Sequence, residues 1–200
     1  TQKTMKMADG MDRSVDEVLW SPDSRRILFT AQDGPYISLF EVPVAGGDIL
    51  RVLKGIITMK YKEGDKIIPI ELGTLRSSFR LLADGHTLVY LGQRMNYPAE
   101  VMSSYYKDGQ VKDMRQHTFT NKKLLDTLDL REPESFTFKS ADGTPIQAWI
   151  LLPPGFDKTK KYPAIFLVHG GPQAVRGDEF HDPGSMQRPT SGCALTVSIH

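Results

Sequence analysis

Over its first 130 residues the chain alternates apolar and polar positions in short runs, each closed by turn-forming residues. Val15 to Trp20 alternates with period two and stops at Ser21-Pro22-Asp23-Ser24. There proline pre-sets a turn, and the Asp and Ser side chains bond their own main chain. Arg26 to Ala31 is a second strand rich in β-forming residues, and Asp33-Gly34-Pro35 ends it. Tyr36 to Val42 alternates again, and Ala45-Gly46-Gly47 turns the chain into Ile49 to Leu53. Four short antiparallel strands in about 40 residues are the size of one propeller blade.

The pattern recurs. Pro22 to Phe29 aligns with Ala83 to Tyr90 at an offset of 61, and both stretches run from a turn with Asp at its second position into a strand. Pro35 matches Pro98 and Gly46 matches Gly109 at an offset of 63. This spacing is longer than the usual ~40–45 residues per blade. The excess is expected between Lys54 and Ser78, where Tyr61 to Lys66 reads as an extra hairpin or a long loop.

A different grammar begins near Lys122. Leu124 to Pro133 is a charged connector that closes on proline, and Glu134 to Lys139 reads as a strand. Asp142-Gly143 is a favoured hairpin pair, after which Gln147 to Leu152 returns and Pro153-Pro154-Gly155 stops it. Ala164 to Val168 is an unbroken apolar run, the type expected of a strand buried on both faces of a parallel sheet. His169-Gly170-Gly171-Pro172 follows directly, and Cys193 to Ile199 is a last apolar segment. An antiparallel hairpin leading into apolar strands with a glycine loop at a strand's C-terminal end predicts the beginning of an α/β-hydrolase domain.

Composition narrows the function classes. Lys+Arg number 25 against 24 Asp+Glu, a formal charge of +1, which argues against nucleic acid or an anionic membrane as partner. No apolar run approaches the ~18–20 residues of a membrane helix. One cysteine, Cys193, excludes an intrachain disulfide or a cysteine-built zinc site, and it reads as a buried thiol. No metal or other cofactor is expected. Compartment and oligomeric state are not encoded in these features.

The tetrapeptide at 169–172 carries the chemistry. Acyl transfer builds negative charge on the attacked carbonyl oxygen, and backbone N–H groups aimed at that point stabilise it. Glycines let the main chain come close. An α/β-hydrolase takes one such donor from the loop after its third strand and the other from the residue after the nucleophile. The expected donors are Gly171 and its neighbour Gly170, with His169 and Pro172 shaping the loop.

With these residues in view, the stretches Glu132 to Thr144, Ile150 to Phe156 and Lys161 to Gln173 resemble the opening of the catalytic domain of the prolyl oligopeptidase family. The nearest branch is the acylaminoacyl-peptidase and dipeptidyl-peptidase-V-like one. Asp12 to Glu17, Trp20 to Ser24 and Phe40 to Gly47 resemble late blades of that family's propeller. The resemblance implies a serine peptidase acting through an acyl-enzyme, with a propeller that caps the active site and admits short peptides. The expected organisation is a partial propeller over 1–130 and the truncated start of an α/β-hydrolase domain over 131–200.

The departures are as informative. These 200 residues contain no Gly-x-Ser-x-Gly, and none of Ser185, Ser191 and Ser198 has glycine two residues before and two residues after it. The hydrolase triad runs Ser, Asp, His downstream of the oxyanion loop, so His181 and His200 are not assigned as its histidine. Ala174 stands where that branch often has glycine. The chain by itself is therefore expected to be inactive. An esterase on the same scaffold and a non-catalytic β-rich binding fragment are the competing readings. His86 and His117 read as surface residues, and Asp178, Glu179 and His181 have ligand-like spacing without a supporting cluster. Trp20 and Trp149 are expected in the core.

Overall fold

Val15–Trp20 (β1), Arg26–Asp33 (β2), Tyr36–Pro43 (β3) and Leu50–Leu53 (β4) form one antiparallel sheet in that order. The computed structural model describes residues 6–54, 57–63, 66–72, 75–168, 170, 175, 177–180 and 193–198, with backbone alone for 57–63, 66–72, 75–77 and 193–198. Ile57–Glu63 (β5) and Lys66–Leu72 (β6) pair as a separate hairpin, the extra element expected between Lys54 and Ser78. Leu75–Leu81 (β7), Thr87–Arg94 (β8), Tyr97–Lys107 (β9) and Gln110–Gln116 (β10) build a second four-stranded sheet.

The two sheets are sisters offset by 61 residues. β2 begins at Arg26 and β8 at Thr87, while β3 begins at Tyr36 and β9 at Tyr97. The match of Pro35 to Pro98 fails, because Pro35 lies in the β2–β3 turn and Pro98 inside β9. The pairing register of β8 and β9 shifts between Gly92 and Arg94. Phe29 faces Phe40 and Tyr90 faces Met102, so the offset becomes 62 past that irregularity, where a strand proline is tolerated.

The turn before the second strand is also repeated. Asp84 accepts hydrogen bonds from the Thr87 hydroxyl at 2.6 Å and from the Thr87 and His86 N–H groups at 2.8 Å each. These bonds, the Thr87 hydroxyl foremost, hold its carboxyl down to about 2. Asp23 accepts from the Ser21 hydroxyl at 2.5 Å and the Arg25 N–H at 3.1 Å. Where the second turn has Gly85 at φ +71°, the first has Ser24 at φ +56°. A side chain in that left-handed region is strained by about 1 kcal/mol. Ser24→Gly is therefore expected to stabilise the chain by about that amount, minus the entropy that glycine adds to the unfolded state. An unchanged or lower urea midpoint would contradict the strain.

Blade stacks on blade. Leu28, Leu39, Val52 and Leu53 of the first sheet meet Phe79, Leu88, Tyr90, Met102 and Tyr106 of the second in one core. Phe29, Ala31, Phe40 and Val42 lie on the opposite face of the first sheet, against Met7 and Met11. By the offset, Phe29 corresponds to Tyr90 and Phe40 to Met102. The face with which the second blade meets the first is thus the same face that the first blade turns towards the chain's beginning. Polar links cross the same gap. Glu17 accepts from the Ser78 N–H at 2.7 Å, and the buried Tyr106 hydroxyl donates to Glu41. The Arg26 guanidinium lies 5.4 Å over the Tyr106 ring.

A single helical turn, Lys122–Leu125 (α1), leads towards Glu134–Lys139 (β11) and Pro145–Leu151 (β12), which pair antiparallel across the Asp142-Gly143 turn. Ala164–Val168 (β13) and Cys193–Ser198 (β14) complete a sheet ordered β11-β12-β14-β13. β13 pairs parallel with β14, which requires a crossover between them. These are the partial propeller and the α/β-hydrolase beginning that the sequence predicts.

Two burial expectations are corrected. β13 is not covered: Ile165, Phe166 and Val168 are 42%, 57% and 55% exposed. It is the outer strand among the described strands of its sheet. Trp20 is 53% exposed, because it sits on β1, the outer strand of the first sheet. Trp149, by contrast, is buried as expected.

Candidate functional site

β13 is the third strand, in chain order, of the β11–β14 sheet, and the glycine motif starts at the residue after its end. Gly170 is described, whereas His169, Gly171, Pro172 and Ala174 lie outside the described residues. A Cβ at Gly170 would meet nothing within 4 Å among the described residues, so crowding by them does not account for glycine there. His181, Ser185, Ser191 and His200 also lie outside the described residues, and at Ser198 and Cys193 only the backbone is described.

The chain is described again at Gly177 to Phe180, and here it is fastened. Asp178 is 1% exposed. Its N–H donates to the Pro35 carbonyl at 3.0 Å. Its Oδ1 accepts from the Met95 N–H at 2.9 Å, and its Oδ2 from Arg94 Nε at 3.1 Å. Pro35 is in the β2–β3 turn and Met95 in the β8–β9 turn, equivalent corners of the two blades. One short segment therefore grips both blades.

Gly177 shows how tight the fit is. A Cβ there would fall 2.7 Å from the Pro35 carbonyl oxygen, closer than real contacts allow. Burial raises the Asp178 carboxyl above its ordinary range, while the Met95 N–H and the Arg94 guanidinium work in the opposite direction and Glu132 adds to the rise. Arg94, with a side chain only 12% exposed, also reaches Glu132 at 2.7 Å, which ties in the connector that precedes β11.

Other bonds fix that connector and the sheet beyond it. Buried Glu100 of β9 accepts from the Thr118 hydroxyl and, at 3.4 Å, from the Asn121 N–H. Asp129 accepts from the Gly155 N–H at 2.9 Å. The Trp149 ring of β12 stands edge-on to Tyr36 of β3, with centroids 6.3 Å apart. Trp149 Nε1 and Gln93 Oε1 are buried without a hydrogen-bond partner among the described residues.

The sequence reading did not assign Asp178 or Arg94 a role. A signal was available: the offset of 61 places Arg94 at the position of Asp33, so the sister turns carry opposite charges. Asp33 binds Arg51 at 2.9 Å and Arg13 at 3.1 Å within the first blade, whereas Arg94 binds outside its own blade. His86 and His117 are exposed as expected, His86 stacking on Tyr105 and His117 bonding Ser103 at 2.7 Å. No cluster of three or more His, Cys, Asp or Glu side chains suited to a metal occurs among the described residues. No helix among them is long and apolar enough to cross a membrane.

The geometry has counterparts in known proteins. The chain is 30% identical over 173 residues to dipeptidyl-peptidase 5 of Porphyromonas gingivalis, covering 86% of this chain and 22% of that protein. It is 32% identical over 183 residues to the probable dipeptidyl-peptidase 5 of Emericella nidulans, covering 88% of this chain and 22% of the relative. The solved structure of the Pyrococcus horikoshii acylaminoacyl peptidase superposes with a TM-score of 0.67 at 23% identity, over 96% of this chain and 26% of that one. The chain thus spans about a fifth of the length of the curated relatives it matches. No protein-family model matches it.

Proposed function

Because this chain belongs to the prolyl oligopeptidase family, we propose that the whole protein is a serine-type peptidase that cleaves short peptides through an acyl-enzyme. The observation that carries the reading is the coincidence of two independent facts. The relatives matched along almost all of the chain are named peptidases, and the glycine motif follows the third strand of the hydrolase-type sheet. In this reading residues 1–130 contribute propeller blades and residues 131–200 open the catalytic domain.

The Gly171 N–H, with Gly170 beside it, donates to the oxyanion that forms when the scissile carbonyl is attacked. His169 and Pro172 hold the loop in shape. The general base is not His169, since the triad histidine follows the nucleophile in an α/β-hydrolase. Removing one oxyanion donor costs such enzymes about 100- to 1000-fold in kcat. The 200 residues contain no Gly-x-Ser-x-Gly, so they carry no acylation on their own.

A fluorophosphonate probe, which phosphonylates activated serines, tests the assignment. It is expected to label the full-length protein at one serine and to leave the 200-residue chain unlabelled. An unlabelled full-length protein would remove the serine mechanism, and specific labelling of the short chain would remove its predicted inactivity.

A further inference from the structure

We propose that Asp178 is a positioning residue that fastens the chain beyond β13 to corresponding turns of both propeller blades, and thereby fixes the frame in which the oxyanion motif works. The proposal rests on the acyl-transfer reading above. Residues 169–177 are bounded by β13, hydrogen-bonded into its sheet, and by Asp178, held by Pro35, Arg94 and Met95. The motif at 169–172 lies within that span.

Three features separate this contact from an ordinary surface ion pair. The carboxylate is buried, both of its oxygens are engaged, and its own backbone N–H is engaged as well. Two of the partners are main-chain groups at equivalent blade corners, so the segment reads the relative position of the blades and not the conformation of one side chain. Gly177 is a second, independent indication, because the 2.7 Å approach to the Pro35 oxygen leaves no room for any other residue. Arg94 extends the link to Glu132 of the connector. Oxyanion donors must be placed to within a few tenths of an ångström, and a displacement of about 1 Å far from the chemistry costs about 100-fold. Fastening of this kind acts on kcat without contacting the substrate.

The test uses the full-length protein with Asp178→Asn, Asp178→Ala, Gly177→Ala and Arg94→Lys. Asparagine keeps an acceptor for the Met95 N–H but removes the charge facing Arg94. The expected result is a fall in kcat on a dipeptidyl nitroanilide of about 10- to 100-fold for Asp178→Ala and Gly177→Ala. KM stays within about two-fold, the signature of an effect on the transition state alone. Asp178→Asn and Arg94→Lys are expected to lose less, because each keeps part of the contact.

A second readout follows the fastening itself. In a Trp20→Phe background of the 200-residue chain, Trp149 is the one tryptophan left. Iodide quenching of its buried ring is expected to rise in Asp178→Ala and Gly177→Ala, since its neighbour Tyr36 adjoins Pro35. Folded variants that retain wild-type kcat would overturn the positioning role. Quenching unchanged in both variants would overturn the fastening. If the wild-type protein cleaves neither amides nor esters, the acyl-transfer reading fails and the positioning role with it, while the quenching result still decides whether Asp178 fastens the blades.

Discussion

Leu88→Ala is expected to destabilise the stacked blades by about 3–4 kcal/mol. Leu88 is fully buried at the second strand of its blade, and it packs in the cluster that receives Leu28, Leu39, Val52 and Leu53 from the neighbouring blade. Removing its branched end forfeits the transfer free energy of the lost carbons, and it leaves a cavity that two rigid, hydrogen-bonded sheets collapse into only partly. The same substitution at Leu82, which is 45% exposed, should cost less than about 1 kcal/mol. Urea unfolding followed by circular dichroism separates the two. Equal losses at both positions would mean that the blades do not share a core.

Trp149→Ala is the second large effect, expected at about 3–5 kcal/mol. The ring is 2% exposed and stands between the hydrolase-type sheet and Tyr36 of the first blade, so its removal opens the junction of the two halves. Its Nε1–H is buried without a partner among the described residues. An unmet buried donor costs about 1–3 kcal/mol. Both Trp149→Ala and Trp149→Phe remove that orphan donor, but Trp149→Phe keeps most of the ring's packing, so it should cost far less than the alanine variant. If the two variants melt at the same temperature, the packing of the ring at this junction contributes nothing and the argument falls.

How much of this was legible in the sequence depended on whether the signal was local. Strands β1, β11 and β13 fall where alternation, turn residues and, for β13, an unbroken apolar run put them, because such patterns and an Asp-Gly pair are properties of a few adjacent residues. The repeat offset of 61 was readable for the same reason. Its drift to 63 was misplaced, since a register irregularity inside β9 leaves no mark in composition. Burial was the weaker inference. The apolar run of β13 reads as a strand covered on both sides, yet coverage depends on what packs against it, and Phe166 stands open among the described residues. Trp20 misled likewise: its chemistry favours a core, and its strand is at a sheet edge.

The fastening at Asp178 was hidden for a different reason. Arg94 and Asp178 are 84 residues apart, and the contact needs a blade corner and the chain beyond β13 to be brought together. Only the charge reversal between Asp33 and Arg94 at equivalent turns hinted at it. The glycine motif shows the opposite balance. Its four residues were readable at once, and its place after the third strand of that sheet follows from the chain order of the strands.

The central claim, that this chain comes from a peptidase, is tested most directly by hydrolysis of aminoacyl- and dipeptidyl-nitroanilides by the full-length protein, alongside simple nitrophenyl esters. Cleavage of the anilide amide bond, abolished by fluorophosphonate, is the predicted result. Hydrolysis of the esters alone, or of neither substrate, would contradict it.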